Sequence, residues 1–160
     1  MRENFYKKIN KNTYQIFLFS CPAVIPLSFL FNHSWFVCVK DGLASRWEVR
    51  FEKNKKTPEI GLHLHKNTLD PFVGTGKIAY VPNKFFWEAN LIKYIEGDKN
   101  SLAHKMYDFI ENSDEKYKYR NNYFVTGPNC NTYVKWVLNH FPEFNIKLSW
   151  RFIGRRYKNL

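Results

Sequence analysis

The chain has 160 residues, and its 25 Lys and Arg outnumber its 14 Asp and Glu, which gives a formal charge of +11 at pH 7. Its 15 Phe, 10 Tyr and 5 Trp supply enough apolar surface for a packed core, so the composition argues against disorder. Apart from runs at 53–56 and 155–158 the basic residues are scattered, which disfavours a dedicated nucleic-acid-binding role, although charge alone does not exclude one.

The N-terminal part combines a basic arm, residues 1–13, with an apolar run that begins a single domain, residues 14–160. The sequence TYQIFLFS at 13–20 predicts the first strand. The run loosely resembles an export signal, but Pro22 and Pro26 interrupt it before it reaches the about 20 residues that a membrane-spanning helix needs. We therefore expect a cytoplasmic protein without a transmembrane segment, with export or membrane association through this run as the alternative.

The first half of the chain predicts further β-structure. The stretches SWFVCV (34–39) and RWEVRF (46–51) are typical of a hairpin that turns at 41–42. GLHLH (61–65) has the alternation of a short strand, and KIAYV (77–81) indicates one more strand.

The second half predicts helices. Apolar residues recur at helical spacing over 84–97 and over 101–112, and a third helix is expected from Cys130 to just before Pro142. Residues 146–154 indicate a final strand or a docked tail. The fold class expected is therefore α+β, with an antiparallel sheet packed against helices.

The stretch GPNCNTYVKWVL (127–138) has a cysteine where the chain turns into a helix. Asn129 can cap this helix, so Cys130 lies in the first turn, near the positive end of the helix dipole. That position favours the thiolate, the form that attacks a carbonyl carbon. The alternative is a small buried side chain that only packs. The other cysteines, Cys21 and Cys38, complete no metal or disulfide spacing, which fits a reducing compartment.

Five histidines are candidates for a base. His33 opens the strand SWFVCV, a rigid position from which the ring can remain at the edge of a cleft. His63 and His65 alternate with leucines and share one sheet face, but no third ligand accompanies them, so we expect no metal and no cofactor. His104 and His140 lie in amphipathic helices, where they are expected to face solvent or to pack.

Taken together, these motifs resemble the circularly permuted papain-like superfamily. The stretch Asn129–Val134 (NCNTYV) resembles the C-terminal nucleophile motif of that group, and His33–Val37 (HSWFV) resembles its histidine strand. The relatives in question are NlpC-type amidases, lecithin–retinol acyltransferase-like proteins and desumoylating isopeptidases. The combination of HSW, RWEV, HLH and GPNCNT resembles, more narrowly, an uncharacterised bacterial family within the group, over about residues 14–157.

The resemblance implies a thiol hydrolase or acyltransferase on a permuted papain-like fold, with its nucleophile at a helix N-terminus. Cys130 would be the nucleophile and His33 the general base. Glu48 would orient the imidazole, because hairpin alternation brings it to the sheet face of His33. His65 or His63 could orient it instead. We expect Glu48→Gln to slow turnover and to leave thermal stability nearly unchanged.

The remaining predicted site residues concern the substrate. The backbone N–H of Cys130, with the Asn129 side chain as a further donor, would meet the oxyanion, and Trp35 and His63 would line the substrate site. The resemblance implies a peptide, isopeptide or acyl substrate. Two other readings are a catalytically inactive papain-like binding module and, less favoured, a basic protein that binds nucleic acid or a membrane surface.

Overall fold

The computed structural model describes residues 4–52, 61–78 and 85–157. In this part of the chain seven strands are arranged in two antiparallel sheets, and three α-helices follow in the second half. The strands are β1 (Tyr14–Pro22), β2 (Asn32–Lys40), β3 (Leu43–Val49), β4 (Leu64–Lys66), β5 (Val73–Gly76), β6 (Phe86–Glu88) and β7 (Asn90–Gly97). The helices are α1 (Leu102–Glu111), α2 (Ser113–Lys116) and α3 (Cys130–His140).

The main sheet has five strands in the order β4-β3-β2-β1-β7, with every neighbouring pair antiparallel. The strands β5 and β6 form a separate small sheet. An α+β fold with an antiparallel sheet is therefore confirmed. None of the helices in the described ranges is long and apolar enough to cross a membrane.

The helix predicted over 84–97 is wrong. Its described part instead forms β6 and β7, and β7 pairs with the free edge of β1. Three or four apolar residues at helical spacing also fit a strand with a bulge, and β7 has one where its register with β1 shifts between Leu18 and Phe19. Pairing with a long buried strand has overridden the short helical pattern.

Three other predictions need adjustment. Only the end of 61–65 is a strand, since β4 begins at Leu64. Of the strand predicted at 77–81, Lys77 and Ile78 form a bend after β5, and 79–81 lie outside the described residues. Residues 146–154 form a docked tail without a strand.

The main sheet carries an apolar cluster on each face. Side chains from alternating positions of β1 and β2, such as Leu18 and Phe36, pack with α1 and α3 on one face. The intervening positions, including Phe19 and Trp35, pack on the other face with Phe5 from the N-terminal segment. Because both faces are covered, β1 and β2 are buried at every position except their two ends, rather than at every second one.

Candidate active site at the start of helix α3

Helix α3 begins at Cys130, with Asn129 as its N-cap residue. The Asn129 side-chain oxygen accepts hydrogen bonds from the backbone N–H groups of Asn131 and Thr132, at 3.0 and 3.2 Å. The cap therefore satisfies the second and third N–H groups of the helix, while the N–H of Cys130 has no intrahelical acceptor at this position. The Cys130 thiol lies beside this N–H, at the positive end of the helix.

Asn131 connects the start of α3 to the start of β2. Its side-chain oxygen accepts from the Ser34 hydroxyl at 2.7 Å, and its amide nitrogen donates to the carbonyl oxygens of Asn32 and Ile153, both at 2.9 Å. Asn131 is only 2% exposed, so these three hydrogen bonds form away from water. They fix the distance between Cys130 and His33, which directly precedes Ser34.

The C-terminal tail closes on the same helix turn. The Thr132 hydroxyl donates to the carbonyl oxygen of Gly154 at 3.0 Å. Gly154 has φ +92°, and a Cβ atom there would lie 2.4 Å from the Asn129 side-chain oxygen. This position therefore requires glycine, both for its backbone conformation and for the close approach to the helix cap.

His33 lies in the second position of β2 and is buried. Its Nε2–H donates to the Glu48 carboxylate at 2.8 Å, and its ring lies close enough to Cys130 for the two groups to interact electrostatically. Burial favours the neutral ring, but the negative charge of Cys130 and the hydrogen bond with Glu48 outweigh it and raise the pKa of His33 to about 10.

Glu48 is buried between His33 and two arginines. Its Oε2 accepts from the Arg46 guanidinium at 2.8 Å, and Arg50 Nε lies 3.4 Å from its Oε1. Burial alone would raise the pKa of Glu48, but the charge of Arg46 and the hydrogen bond from His33 hold it well below its usual range. Arg46, Glu48, His33 and Cys130 thus form a row of alternating charge when the sulfur is a thiolate and the ring is protonated.

Arg46, at the end of this row, is completely buried. Besides Glu48, its guanidinium donates to the carbonyl oxygens of Asp70, at 2.8 Å, and Val73. It also lies over the Trp35 ring, 4.3 Å from the ring centroid. A buried guanidinium held by two carbonyls and an aromatic face cannot move away, so it fixes the Glu48 carboxylate from the side opposite His33.

Trp35 packs beside the row and is not among the residues that line the cavity described below. It is fully buried, its indole N–H donates to the carbonyl oxygen of Pro71 at 3.0 Å, and its ring stacks on His33 with centroids 5.8 Å apart. The expectation that Trp35 contacts substrate does not agree with this position, because the residue belongs to the second apolar cluster.

His65 and His63 also lie behind the site. His65 pairs with Glu48 across β3 and β4, but it is Glu48 that hydrogen-bonds His33. Burial and the charge of Arg50 lower the pKa of His65 to about 4, so this ring is neutral at pH 7. His63 stacks on Phe51, and its Nδ1 accepts from the backbone N–H of Glu52 at 3.1 Å. Neither histidine lines the cavity described next.

A cavity of about 700 Å³ opens in front of Cys130 and His33. Most of its wall is apolar, and its polar part includes Arg50, Glu52 and the helix cap. The lining residues are Ala23, Val24, Leu27, Phe31, Asn32, His33, Arg50, Phe51, Glu52, Thr75, Gly76, Ile78, Tyr123, Phe124, Val125, Asn129, Cys130, Asn131 and Ile153. Cys130, His33 and the helix cap at Asn129 therefore border the same open space.

The other two cysteines have different surroundings. All three thiols are free, but Cys21 and Cys38 are buried in the sheet and do not line the cavity. Burial, together with the charge of Glu111, raises the pKa of Cys38 well above its usual value. Among the residues that the structure describes, no group of three or more His, Cys, Asp or Glu side chains is arranged to hold a metal ion.

Sequence comparison gives the family of the chain. Residues 13–157 match the family described as "Protein of unknown function (DUF3750)", so the chain belongs to this family. Searches among curated proteins and among solved structures found no significant match.

Three residues of the site were absent from the sequence-based prediction. Asn131 and Ser34 stand inside the NCN and HSW motifs, but nothing in the sequence shows that they bond each other across 97 positions. Arg46 had a detectable signal, because it stands two positions before Glu48 in a strand and so faces the same side with opposite charge.

Proposed function

We propose that this protein is a cysteine-dependent amide or ester hydrolase, or an acyltransferase, with a permuted papain-like arrangement. The observation that carries the proposal is that Cys130 and His33 line one cavity close enough to interact electrostatically, with Glu48 hydrogen-bonded to Nε2 of the ring. A thiol next to a base, with an orienting group on the other side of that base, is the arrangement that nucleophilic catalysis requires. Since the histidine strand precedes the cysteine helix, the papain-like order would be permuted.

In the proposed reaction the Cys130 thiolate attacks the carbonyl carbon of the substrate, and the carbonyl oxygen becomes an oxyanion. The N–H of Cys130 donates to this oxyanion at the positive end of α3. When the intermediate collapses, the bond to the leaving group breaks and His33 gives that group its proton, which leaves a thioester on Cys130.

The second half of the reaction releases the acyl group. His33, now neutral, takes a proton from a water molecule or from an acceptor hydroxyl or amine, and the resulting nucleophile attacks the thioester. The carbon–sulfur bond breaks, the acyl group leaves as an acid, ester or amide, and the thiolate–imidazolium pair is restored. Glu48 stays ionised throughout, because Arg46 stabilises its charge.

The Asn129 side chain acts in this scheme as a helix cap rather than as a free oxyanion donor. Its oxygen is used by the helix, and its amide nitrogen donates to the carbonyl oxygen of Val125 at 2.8 Å. The first oxyanion donor is therefore the N–H of Cys130.

The test is a panel of p-nitrophenyl esters and aminoacyl p-nitroanilides, with intact-mass measurement of the protein during turnover. We expect acylation at Cys130, lost in Cys130→Ser and strongly slowed in His33→Ala. Cys38→Ala, which changes a thiol outside the cavity, serves as the control and should still be acylated. Turnover that persists in Cys130→Ser, or no acyl adduct with any member of the panel, would contradict the proposal and favour a non-catalytic binding module.

A further inference from the structure

The exposed large apolar side chains of the described residues concentrate around the cavity. Of twelve such side chains, nine lie on the segments that surround the cavity mouth. We call these nine the apolar rim: Ile25, Leu27, Phe29, Leu30, Phe51, Ile78, Phe85, Phe124 and Val125. Soluble surfaces rarely group large apolar side chains in this way, and such patches mark sites of interaction.

The apolar rim is continuous with the cavity wall. Five of its members line the cavity directly, namely Leu27, Phe51, Ile78, Phe124 and Val125. Backbone hydrogen bonds connect Ile25 and Phe85 of the rim through Lys77. The Ile25 N–H donates to the Lys77 carbonyl oxygen at 2.8 Å, and the Lys77 N–H donates to the Phe85 carbonyl oxygen at 2.9 Å. The apolar rim therefore extends into the wall of the cavity that Cys130 lines.

Positive charge accompanies the apolar rim. Lys77 lies between Ile25 and Phe85, and Arg151 donates to the carbonyl oxygen of Ser28 at 3.3 Å. The whole chain carries a formal charge of +11. Apolar side chains combined with positive charge are complementary to an anionic lipid surface, where each type of contact adds to the other.

We propose that the apolar rim docks on an anionic lipid bilayer, with the cavity mouth facing the acyl-chain region. Phe29 and Leu30, at 80% and 52% exposure, would enter the headgroup boundary first. The inference about substrate rests on the proposed function, because the cavity then delivers an apolar acyl group from the bilayer to Cys130. The docking itself does not depend on catalysis.

The experiment is flotation of the full chain with vesicles of equal parts phosphatidylglycerol and phosphatidylcholine, at about 0.15 M salt, where the Debye length is near 8 Å. We expect binding, and we expect Phe29→Ser and Phe124→Ser each to weaken lipid partitioning by about tenfold. The matched control is Leu43→Ser. Leu43 is 77% exposed, close to Phe29, but it begins β3 at the opposite end of the β2–β3 hairpin from His33.

Each outcome decides the proposal. Loss of binding in the two phenylalanine variants with retention in Leu43→Ser supports it. An absence of vesicle binding, or equal loss in all three variants, overturns it, as does rim-dependent association with a protein in place of lipid. Cys130→Ser should bind vesicles like the parent chain, so a failure of the proposed catalysis is distinguishable from a failure of docking.

Discussion

Glu48→Gln is the substitution that tests the proposed role of the row most specifically. Glutamine has the shape of glutamate, and its side-chain oxygen can still accept from His33 Nε2–H, so the ring keeps an acceptor at about the present 2.8 Å. The negative charge is lost, and with it the part of the interaction that favours a protonated His33 over a neutral one.

The size of the effect follows from the hydrogen bond. A bond to a charged group is worth about 1.5–3 kcal/mol, against about 1 kcal/mol for a neutral pair, so the imidazolium loses about 0.5–2 kcal/mol. At 1.36 kcal/mol for each pH unit, the pKa of His33 falls by about 0.4–1.5 units. The alkaline limb of kcat/KM, which reports the loss of the His33 proton, should move to lower pH by this amount.

Stability should change as well, in contrast to the expectation drawn from sequence. Glu48 is 1% exposed and is the counter-charge of the buried Arg46, so removal of its charge should cost about 3–5 kcal/mol of unfolding free energy. Because the pKa of Glu48 is depressed in the folded protein, its contribution is present above the unfolded pKa of about 4.3 and is lost as pH falls toward the folded value. The difference between the two proteins should therefore be largest near neutral pH.

The assay is kcat/KM against pH for the best ester of the panel, at a temperature where circular dichroism shows both proteins folded. The matched control is Glu111→Gln, since Glu111 is also a network carboxylate, paired with Lys66 at 2.6 Å and with the Trp47 indole, whereas the carboxylate that holds His33 is Glu48. It should lose stability without a shift of the alkaline limb. An unchanged limb in Glu48→Gln, or an equal shift in Glu111→Gln, would refute the orienting role.

Two further substitutions test how the site is held. Asn131→Ala removes three buried hydrogen bonds and should cost about 2–4 kcal/mol of unfolding free energy, measured in urea, and it should slow acylation of the folded protein. We call these three hydrogen bonds of Asn131 the clamp. Normal acylation in folded Asn131→Ala would show that the clamp does not align Cys130. Arg46→Met should lower the unfolding free energy by about 3–5 kcal/mol and raise the pKa of Glu48, seen as acid unfolding at higher pH. Unfolding at the same acid pH as the parent would contradict this account of Arg46.

The predictability of the fold varied with the type of signal. Long apolar runs ended by turns predicted β1 and β2 within a few residues, and a capped helix start predicted α3 at Cys130. The region of β7 failed because its short apolar spacing is compatible with helix and strand, and only its pairing with β1 decides between them.

In the site, too, features with a local sequence pattern were predictable, and features that depend on contacts between distant segments were not. Hairpin alternation predicted that Glu48 shares a face with His33, and the structure has them 2.8 Å apart. The clamp through Asn131 and the support from Arg46 depend on contacts between distant segments, which no local pattern contains. Composition did not predict the cavity either, because its wall draws on loops from the whole length of the chain.

The central claim, that His33 activates Cys130, is tested most directly by site-resolved alkylation with iodoacetamide in the parent chain and in His33→Ala. The measurement is the Cys130 labelling rate of the parent chain divided by that of His33→Ala, determined once at pH 6 and once at pH 10. Cys21 and Cys38 serve as buried internal references. The account predicts a ratio of about ten or more at pH 6, where a thiolate needs the imidazolium, and a ratio near one at pH 10, where an ordinary thiol is already ionised. A ratio near one at both pH values would contradict it.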